Sequence, residues 1–221
     1  MKRSQWIVLL VSTIAAGTAA VGCKAGGVGD PCIPEDEYTS TFSGFGVSEA
    51  NVESRSFQCE TRVCIANHFQ GRVSCPYGQA DTVATAIKAA VAANQPISSL
   101  GATVTDAPGP CYIPSSSDPV QVAVEAQLEN RRADTTVYCS CRCSGPDKNA
   151  VYCQCPSGYD CLPLVPDLNL GQAQLVGQYC LKSGTAYSGI PTGLSCSPGS
   201  NNGHGNCPSD TASSGNMNPG S

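Results

Sequence analysis

Cysteine spacing is the feature of this sequence that most restricts the folds open to it. The chain has 15 cysteines among 221 residues, and five of them fall in the nineteen residues from Val137 to Cys155. Such a cluster can bind a metal, carry out redox chemistry or form disulfides. These alternatives differ in the spacing and the redox compartment that they need, so the sequence itself can be used to choose among them.

The spacing argues against a metal or redox site. Zinc sites and thioredoxin-like motifs favour cysteine pairs separated by two residues, and no two cysteines here have that spacing. His68 and His204 are the only histidines, and both are far from the cluster in sequence. A thiolate cluster would also need a reducing compartment. We therefore predict disulfides, with no metal and no cofactor.

The N-terminus indicates the compartment. Lys2 and Arg3 precede a run of apolar or small residues from Trp6 to Ala20. This run is shorter than the about 20 apolar residues of a membrane-spanning helix, and it is typical of a secretory signal peptide. We predict that residues 1–22 are removed on export, and an exported protein meets oxidising conditions in which disulfides persist.

The residues Ala20-Val21-Gly22-Cys23 resemble a bacterial lipobox. The resemblance implies cleavage before Cys23 and lipid on that residue, which would attach the mature chain to a membrane. The alternative is an ordinary signal peptide cut at the small residues from Thr18 to Ala20. In Gram-negative sorting, Lys24 rather than Asp after the lipidated cysteine implies the outer membrane. Assigning Cys23 to lipid leaves 14 cysteines, an even number that can pair completely.

The cysteines after Cys23 are predicted to form disulfides, with most pairings left open. They are Cys32, Cys59, Cys64, Cys75, Cys111, Cys139, Cys141, Cys143, Cys153, Cys155, Cys161, Cys180, Cys196 and Cys207. A hairpin with its turn in "SGPDKN" would pair the two flanking "VYC" segments as strands. One register places Cys141 opposite Cys153 and Cys139 opposite Cys155, at a separation that suits disulfides. Partners elsewhere in the chain are equally allowed.

Composition predicts the fold class. Only 13% of residues are charged, 23 are glycine and 16 are proline, and the single tryptophan, Trp6, belongs to the signal. A chain with so few large apolar residues is commonly stabilised by disulfides instead of a large core. We predict a small disulfide-rich fold, mainly β or irregular, with one short Ala-rich helix and a disordered C-terminal tail.

Two elements and four regions can be predicted. The segment 81–94 is a helix with Asp81 as its N-cap and with Val83, Ile87 and Val91 on one face. The segment from Val120 to Leu128 alternates as a half-buried strand does. The tail is rich in Gly, Ser, Asn and Pro, which make up 26 of its 39 residues. The regions are a signal peptide at 1–22, a lipidated tether at 23–31, a disulfide-rich domain at 32–182, with a division into 32–110 and 111–182 left open, and a flexible tail at 183–221.

Catalytic motifs are absent from the sequence. It has no G-x-S-x-G elbow, H-E-x-x-H, P-loop or G-x-G-x-x-G, and we predict no catalytic residue. His68 is predicted to be a surface loop residue. The "PEDE" acids at 34–37 are predicted to form a solvated loop, with a calcium site as the alternative. The aromatic run "YTSTFSGFG" is either a ligand-contact strand or core. The net charge of −5 excludes a basic nucleic-acid footprint.

Two further resemblances carry no activity. The segment "CQCPSGYDC" resembles the end of an EGF-like module, which implies a local turn. The segments "GDPCIPEDEYTSTF", "FQCETRVC" and "VYCSCRC" resemble a group of uncharacterised cysteine-rich exported proteins of myxobacteria. We therefore expect an outer-membrane lipoprotein that acts as a non-enzymatic binding, adhesion or structural module, with an envelope protein or a glycan as partner. The alternatives are an exported enzyme with an unrecognised site and a calcium- or metal-binding envelope protein.

Overall fold

The computed structural model describes residues 26–100, 109–166, 175–189 and 193–197. Within them the protein is small and disulfide-rich, with short strands, irregular segments and two helices, as composition predicts. The signal peptide, Cys23, His204 and Cys207 lie outside the described residues. The predictions about them therefore remain predictions.

The first sheet contains three antiparallel strands in the order β1-β2-β3, which are Ala50–Glu53, Val63–Asn67 and Val137–Ser140. Its side chains alternate between two cores, as the period of a strand requires. Cys64 and Ala66 of β2 join the core formed with the N-terminal segment, whereas Ile65 faces the second sheet. One five-residue strand thus serves two hydrophobic clusters.

The second sheet has the order β4-β6-β5, with β4 at Arg142–Ser144, β5 at Tyr159–Val165 and β6 at Gly177–Lys182. The two sheets pack face to face, and their shared core consists of Ile65, Tyr138, Leu164, Tyr179 and Leu181. Polar groups also cross between the sheets. The Ser140 hydroxyl donates to Cys180 O at 2.8 Å, and the Lys182 N–H donates to the Tyr138 hydroxyl at 2.8 Å.

Six disulfides confirm that the cysteine cluster is oxidised. They are Cys32–Cys64, Cys59–Cys139, Cys75–Cys111, Cys141–Cys153, Cys143–Cys161 and Cys155–Cys180. Cys196 is disulfide-bonded as well. The suggested Cys141–Cys153 facing pair is bonded, but the Cys139–Cys155 pair is wrong. The reason is the path of the chain: Cys139 belongs to β3, Cys141 lies between β3 and β4 where the chain passes to the second sheet, and the second "VYC" segment forms no strand.

The Ala-rich helix α1 is present at Asp81–Ala92. Its N-cap is Ala80, which offers no side-chain hydrogen bond, so the predicted N-cap role of Asp81 is wrong. Val83 and Ile87 are buried as predicted, but Val91 is 42% exposed. Ala90 is buried in its place. The helix ends in a Schellman-type turn, with Asn94 at φ 53° and the Gln95 N–H donating to Ala90 O.

The predicted strand at Val120–Leu128 is wrong. Val120, Val124 and Leu128 are buried, as a half-buried strand would require. However, the backbone N–H groups of this segment donate to separate loops, including Ser40 O, Gln79 O and Pro76 O, instead of one neighbouring strand. Alternating hydrophobicity predicts which side chains are buried. Whether another strand lies alongside to form a ladder of hydrogen bonds depends on how distant parts of the chain are arranged.

Two of the three "PEDE" acids, Glu35 and Asp36, are exposed as predicted, but Glu37 is not. All three lie on a short 3-10 turn, Glu35–Tyr38, and Glu37 is fully buried. Its carboxylate lies 4.0 Å from the buried Arg72 guanidinium and accepts the backbone N–H groups of Val73 and Ser74. With its oxygens already engaged by N–H donors, the Glu37 carboxylate does not form a calcium site.

The ends of the predicted domain are joined to neighbouring segments. Residues assigned to the tether are bonded to the domain from Gly26 onward, since the Gly26 N–H donates to Gln58 O at 2.8 Å. The part of the tail that the structure describes also contacts the domain. Thr185 O accepts the buried Arg131 guanidinium at 2.7 Å, and Tyr187 stacks on His68 at 4.0 Å between ring centroids. Composition gives no sign of these contacts.

The division at residue 110 does not separate two independent units. Strands β2 and β3 pair across it, and the disulfides Cys59–Cys139 and Cys75–Cys111 connect the two sides. The core that contains Cys64 likewise includes residues from both sides. The described halves therefore share one hydrophobic core and one sheet.

Candidate functional site

An open groove of about 530 Å³ lies between the 3-10 turn and the loop that joins β1 to β2. We call it the Phe57 groove. The first wall is formed by Ile33, Glu35 and Tyr38. The second wall is formed by Glu53, Arg55, Ser56, Phe57, Gln58 and Arg62. Its volume falls within the range of about 300–1,000 Å³ that is usual for small-ligand sites.

A side-chain clamp, a disulfide and a backbone hydrogen bond fix the β1–β2 loop in place. The Gln58 side chain clamps Ile33 by accepting its N–H at 3.0 Å and donating to its carbonyl at 2.7 Å. The Cys59–Cys139 disulfide attaches the loop to β3. The Ser56 N–H donates to Arg62 O at 3.0 Å, which closes the loop on itself. The second wall of the groove is thus held by bonds that do not involve the side chain of Phe57.

Phe57 is the most exposed aromatic side chain among the described residues, with 80% of its surface accessible. The Arg62 guanidinium carbon lies 4.0 Å from the centroid of its ring, which is a cation–π contact. Arg62 adopts φ 65°, a left-handed conformation that is uncommon for a residue with a side chain. Aromatic residues and arginine are enriched in protein interfaces, so the loop that carries Phe57 and Arg62 is a candidate binding surface.

Two carboxylates and two guanidiniums belong to the residues that line the groove. Glu53 accepts the Glu35 N–H at 3.1 Å, which joins the two walls. Partial burial raises the pKa of the Glu53 carboxyl, and the charges of Glu35 and Asp36 raise it further. Burial raises the pKa of the Tyr38 hydroxyl as well, followed by the charges of Glu37 and Glu53. The lining residues include two acids and two arginines, so their formal charges cancel.

Ser56 provides a buried hydroxyl at the groove. The residue is 2% exposed, and its Oγ has no hydrogen-bond partner among the described residues. Most buried polar atoms in proteins are hydrogen-bonded, so an unpartnered one needs an explanation. Because the Oγ atom has almost no accessible surface, a ligand in the groove cannot contact it, and Ser56 contributes to the packing of the wall.

His68, predicted to be a loop residue at the surface, is half-buried between other groups. Its Nδ1 lies 3.2 Å from Val47 O, and its ring stacks on Tyr187. Burial lowers the pKa of the imidazole, and the charge of Arg131 lowers it further. His68 therefore serves as a neutral packing residue, and it lies outside the Phe57 groove.

The aromatic run "YTSTFSGFG" contributes mainly to the core. Phe45 is buried, and Phe42 packs on it with ring centroids 4.9 Å apart. Only Tyr38 reaches the groove. Sequence reasoning missed Phe57, Arg62 and their loop. The available signal was a lone aromatic residue within the polar stretch "ESRSFQCETR", between two segments of strand-forming residues.

Nine cysteine sulfurs form three compact groups, in each of which the sulfurs lie within 4.8 Å of one another. The groups are Cys32, Cys59 and Cys139; Cys141, Cys153 and Cys180; and Cys143, Cys155 and Cys161. All nine sulfurs are disulfide-bonded. Because the thiolate is the form of cysteine that binds metal, these groups are not metal sites in the oxidised protein.

A second open groove of about 540 Å³ lies at the start of α1, beside Asp81 and Glu125. The Gln79 side chain at its edge is already engaged, since its Nε2 donates to Val120 O and Val122 O. The Phe57 groove, in contrast, combines an exposed aromatic ring with charged groups of both signs. It is therefore the stronger candidate site.

Comparisons with protein-family models, with curated proteins and with solved structures gave no match for this chain. No helix in the described part of the chain has the length and apolar character needed to cross a membrane. The six disulfides fit an exported protein, because disulfides persist in oxidising compartments.

Proposed function

We propose that the protein is a lipid-anchored binding module of the outer membrane, without enzymatic activity of its own. The observation that supports a binding function is the Phe57 groove. Its lining includes an exposed aromatic ring and charged groups on a loop that is fixed by a disulfide. Fixed loops lose little conformational freedom on binding, which favours affinity. The resemblance of residues 20–23 to a lipobox supports the anchor.

The binding function is tested by capturing partners from a cell-envelope extract with the intact, oxidised protein. We expect retention of a component that Phe57→Ala no longer retains. Val151→Ala is a matched control, because Val151 is 99% exposed and lies outside the groove. Equal retention by the original protein and by Phe57→Ala would contradict the assignment of binding to this groove.

The anchor is tested at two adjacent positions. Cys23→Ser removes the thiol that would carry lipid, so we expect an uncut precursor without lipid. Lys24→Asp keeps the thiol but changes the sorting residue, so we expect a lipidated protein that moves to the inner membrane. Metabolic labelling with a fatty acid, followed by membrane fractionation, measures both outcomes. Lipid on the Cys23→Ser protein would contradict the proposed attachment site.

One observation favours a second candidate, an exported enzyme. Glu35 and Glu53 line the same groove, and the raised pKa of Glu53 is a property found in many catalytic acids. Paired carboxylates across a cleft cleave glycosidic bonds in many hydrolases. Turnover of an oligosaccharide that is lost in Glu53→Gln would establish this candidate in place of the non-enzymatic one.

A further inference from the structure

The chemistry of the Phe57 groove restricts the ligand that it can take. An anionic ligand such as a phosphate needs an excess of positive charge, and a cation needs an excess of acids. The lining residues contain two of each sign. Charge balance therefore favours an uncharged ligand that can both donate and accept hydrogen bonds.

The hydrogen-bonding groups of the groove match polyhydroxylated ligands. A sugar hydroxyl can donate to a carboxylate and accept from a guanidinium. Both of these planar groups can engage two neighbouring oxygens at once, which suits the adjacent hydroxyls of a sugar ring. Glu53 and Arg55 supply such groups at the groove.

The aromatic ring of Phe57 completes the match. Arg62 occupies one face of the ring at 4.0 Å, yet Phe57 remains 80% exposed, so most of its surface is open to a ligand. The C–H face of a sugar ring is apolar and packs on such a surface, and the quadrupole of the ring attracts its slightly positive hydrogens. A fully apolar partner would leave the surrounding charged groups without hydrogen-bond partners.

We propose that the Phe57 groove binds a neutral oligosaccharide, with one sugar ring stacked on Phe57 and its hydroxyl groups bound by Glu53 and Arg55. This inference rests on the proposed binding function and specifies its ligand class. The volume of about 530 Å³ suits one or two sugar units, and the open side allows the rest of a chain to extend into solvent.

Isothermal titration calorimetry of the full exported chain tests the inference, with cellohexaose, maltohexaose, chitohexaose and mannohexaose as probes. The protein is extracted in a polyoxyethylene detergent, because a detergent with a sugar headgroup would compete. We expect binding of at least one probe, and Phe57→Ala to weaken it by at least about tenfold. Phe57→Trp, which keeps a ring, and Val151→Ala, outside the groove, should retain binding.

The possible outcomes test the oligosaccharide inference separately from the proposed binding function. Failure of all four probes to bind, or binding that is unchanged in Phe57→Ala, would overturn the oligosaccharide inference. Capture of an envelope protein through Phe57, without binding of any probe, would also overturn it while the binding function stands. Hydrolysis of a bound probe would confirm the ligand class and overturn the non-enzymatic function. An unchanged thermal midpoint of Phe57→Ala would confirm that the variant is folded.

Discussion

Glu37 and Arg72 are both fully buried, and each is bound by backbone groups as well as by the other. Arg72 donates to Phe42 O at 2.8 Å and to Thr39 O at 3.2 Å, so its guanidinium holds the turn that follows the 3-10 segment. A buried charge without its partner is strongly unfavourable. This pair therefore makes the N-terminal core dependent on two particular side chains.

Replacing Arg72 with Met should lower the free energy of unfolding by about 3–5 kcal/mol, because Glu37 would keep a buried charge without its cation. The double variant Glu37→Gln with Arg72→Met should lose less than the sum of the two single variants. Arg55→Met is the matched control, since Arg55 is exposed. Urea denaturation of the oxidised proteins measures the unfolding free energy of the two single variants, Arg72→Met and Glu37→Gln, of the double variant and of Arg55→Met. Equal losses in Arg72→Met and Arg55→Met would contradict the prediction.

Tyr138 predicts a dependence of stability on alkaline pH. Burial is the main cause that raises the pKa of its hydroxyl to about 12. Between the ordinary pKa of 10 and about 12, the folded state retains the proton more strongly than the unfolded state does. Stability is therefore fully present below pH 10 and falls as the pH rises toward 12, by up to about 3 kcal/mol.

Urea denaturation at pH 9 and pH 11 measures this effect. Tyr138→Phe removes the titrating group, so its stability should fall less between the two values. Some decrease should remain, because burial also raises the pKa of Tyr179. Parallel decreases in the original protein and in Tyr138→Phe would show that Tyr138 is not a source of the alkaline destabilisation.

Whether a particular side chain is buried was the hardest feature to predict from the sequence. Glu37 stands among other acids in "PEDE", and nothing local distinguishes it from its exposed neighbours. Its partner Arg72 lies 35 residues away, so the pair forms only when the fold brings the two segments together. Phe57 is the opposite case: a residue type that usually lies in a core is exposed because both of its neighbours are fixed by other groups.

At the scale of elements, the disulfides differ in the length of chain that they close. Cys59–Cys139 spans 80 residues and Cys141–Cys153 spans 12. Closing a longer loop restricts the unfolded chain more, so replacing both cysteines of the first pair with alanine should cost more. We expect the two double variants to differ by about 1–2 kcal/mol in unfolding free energy.

Thermal and urea denaturation of the two double variants tests this order. Free-thiol labelling under denaturing conditions is the control, because each variant should retain its other disulfides and show no new thiol. The intact protein should likewise show almost no free thiol. A larger loss from removing Cys141–Cys153 would show that local packing, and not the length of the closed loop, decides the contribution of these disulfides.

Elements that are specified by their own sequence could be predicted, whereas elements that need a partner from a distant part of the chain could not. Helix α1 is specified by its own Ala-rich, periodic sequence, and it formed within two residues of the expected end. Residues 120–128 have the alternation of a strand but no strand beside them. The oxidised state of the cysteines follows from spacing and compartment, whereas their pairing follows from two sheets whose packing is not visible in the sequence.

At the scale of the whole molecule, the described start of the tail contributes to the domain. The side chain of Arg131 is buried, and it donates to Thr185 O, to His68 O and to Asn67 O. Removing Thr185 would leave part of a buried cation without a partner, which costs about 1–3 kcal/mol or more. The tail is therefore predicted to stabilise the domain through residues 183–189.

Two truncations isolate this contribution. One chain ends after residue 182 and the other after residue 189, so both lack Cys196 and Cys207 and differ only in the segment that contacts Arg131. The longer chain should be more stable by about 1–3 kcal/mol. Urea denaturation of the oxidised proteins measures the difference. Equal stability would show that the contacts of Thr185 and Tyr187 make no net contribution.

The loop between β1 and β2 has a practical consequence for engineering. Its path is set by the Cys59 disulfide, by the Gln58 clamp on Ile33 and by backbone hydrogen bonds. The side chains at positions 55 and 57 take no part in those bonds. A library randomised at these two positions should therefore retain the parent backbone in most of its members, so that selection among them would sort variants by surface chemistry and not by folding.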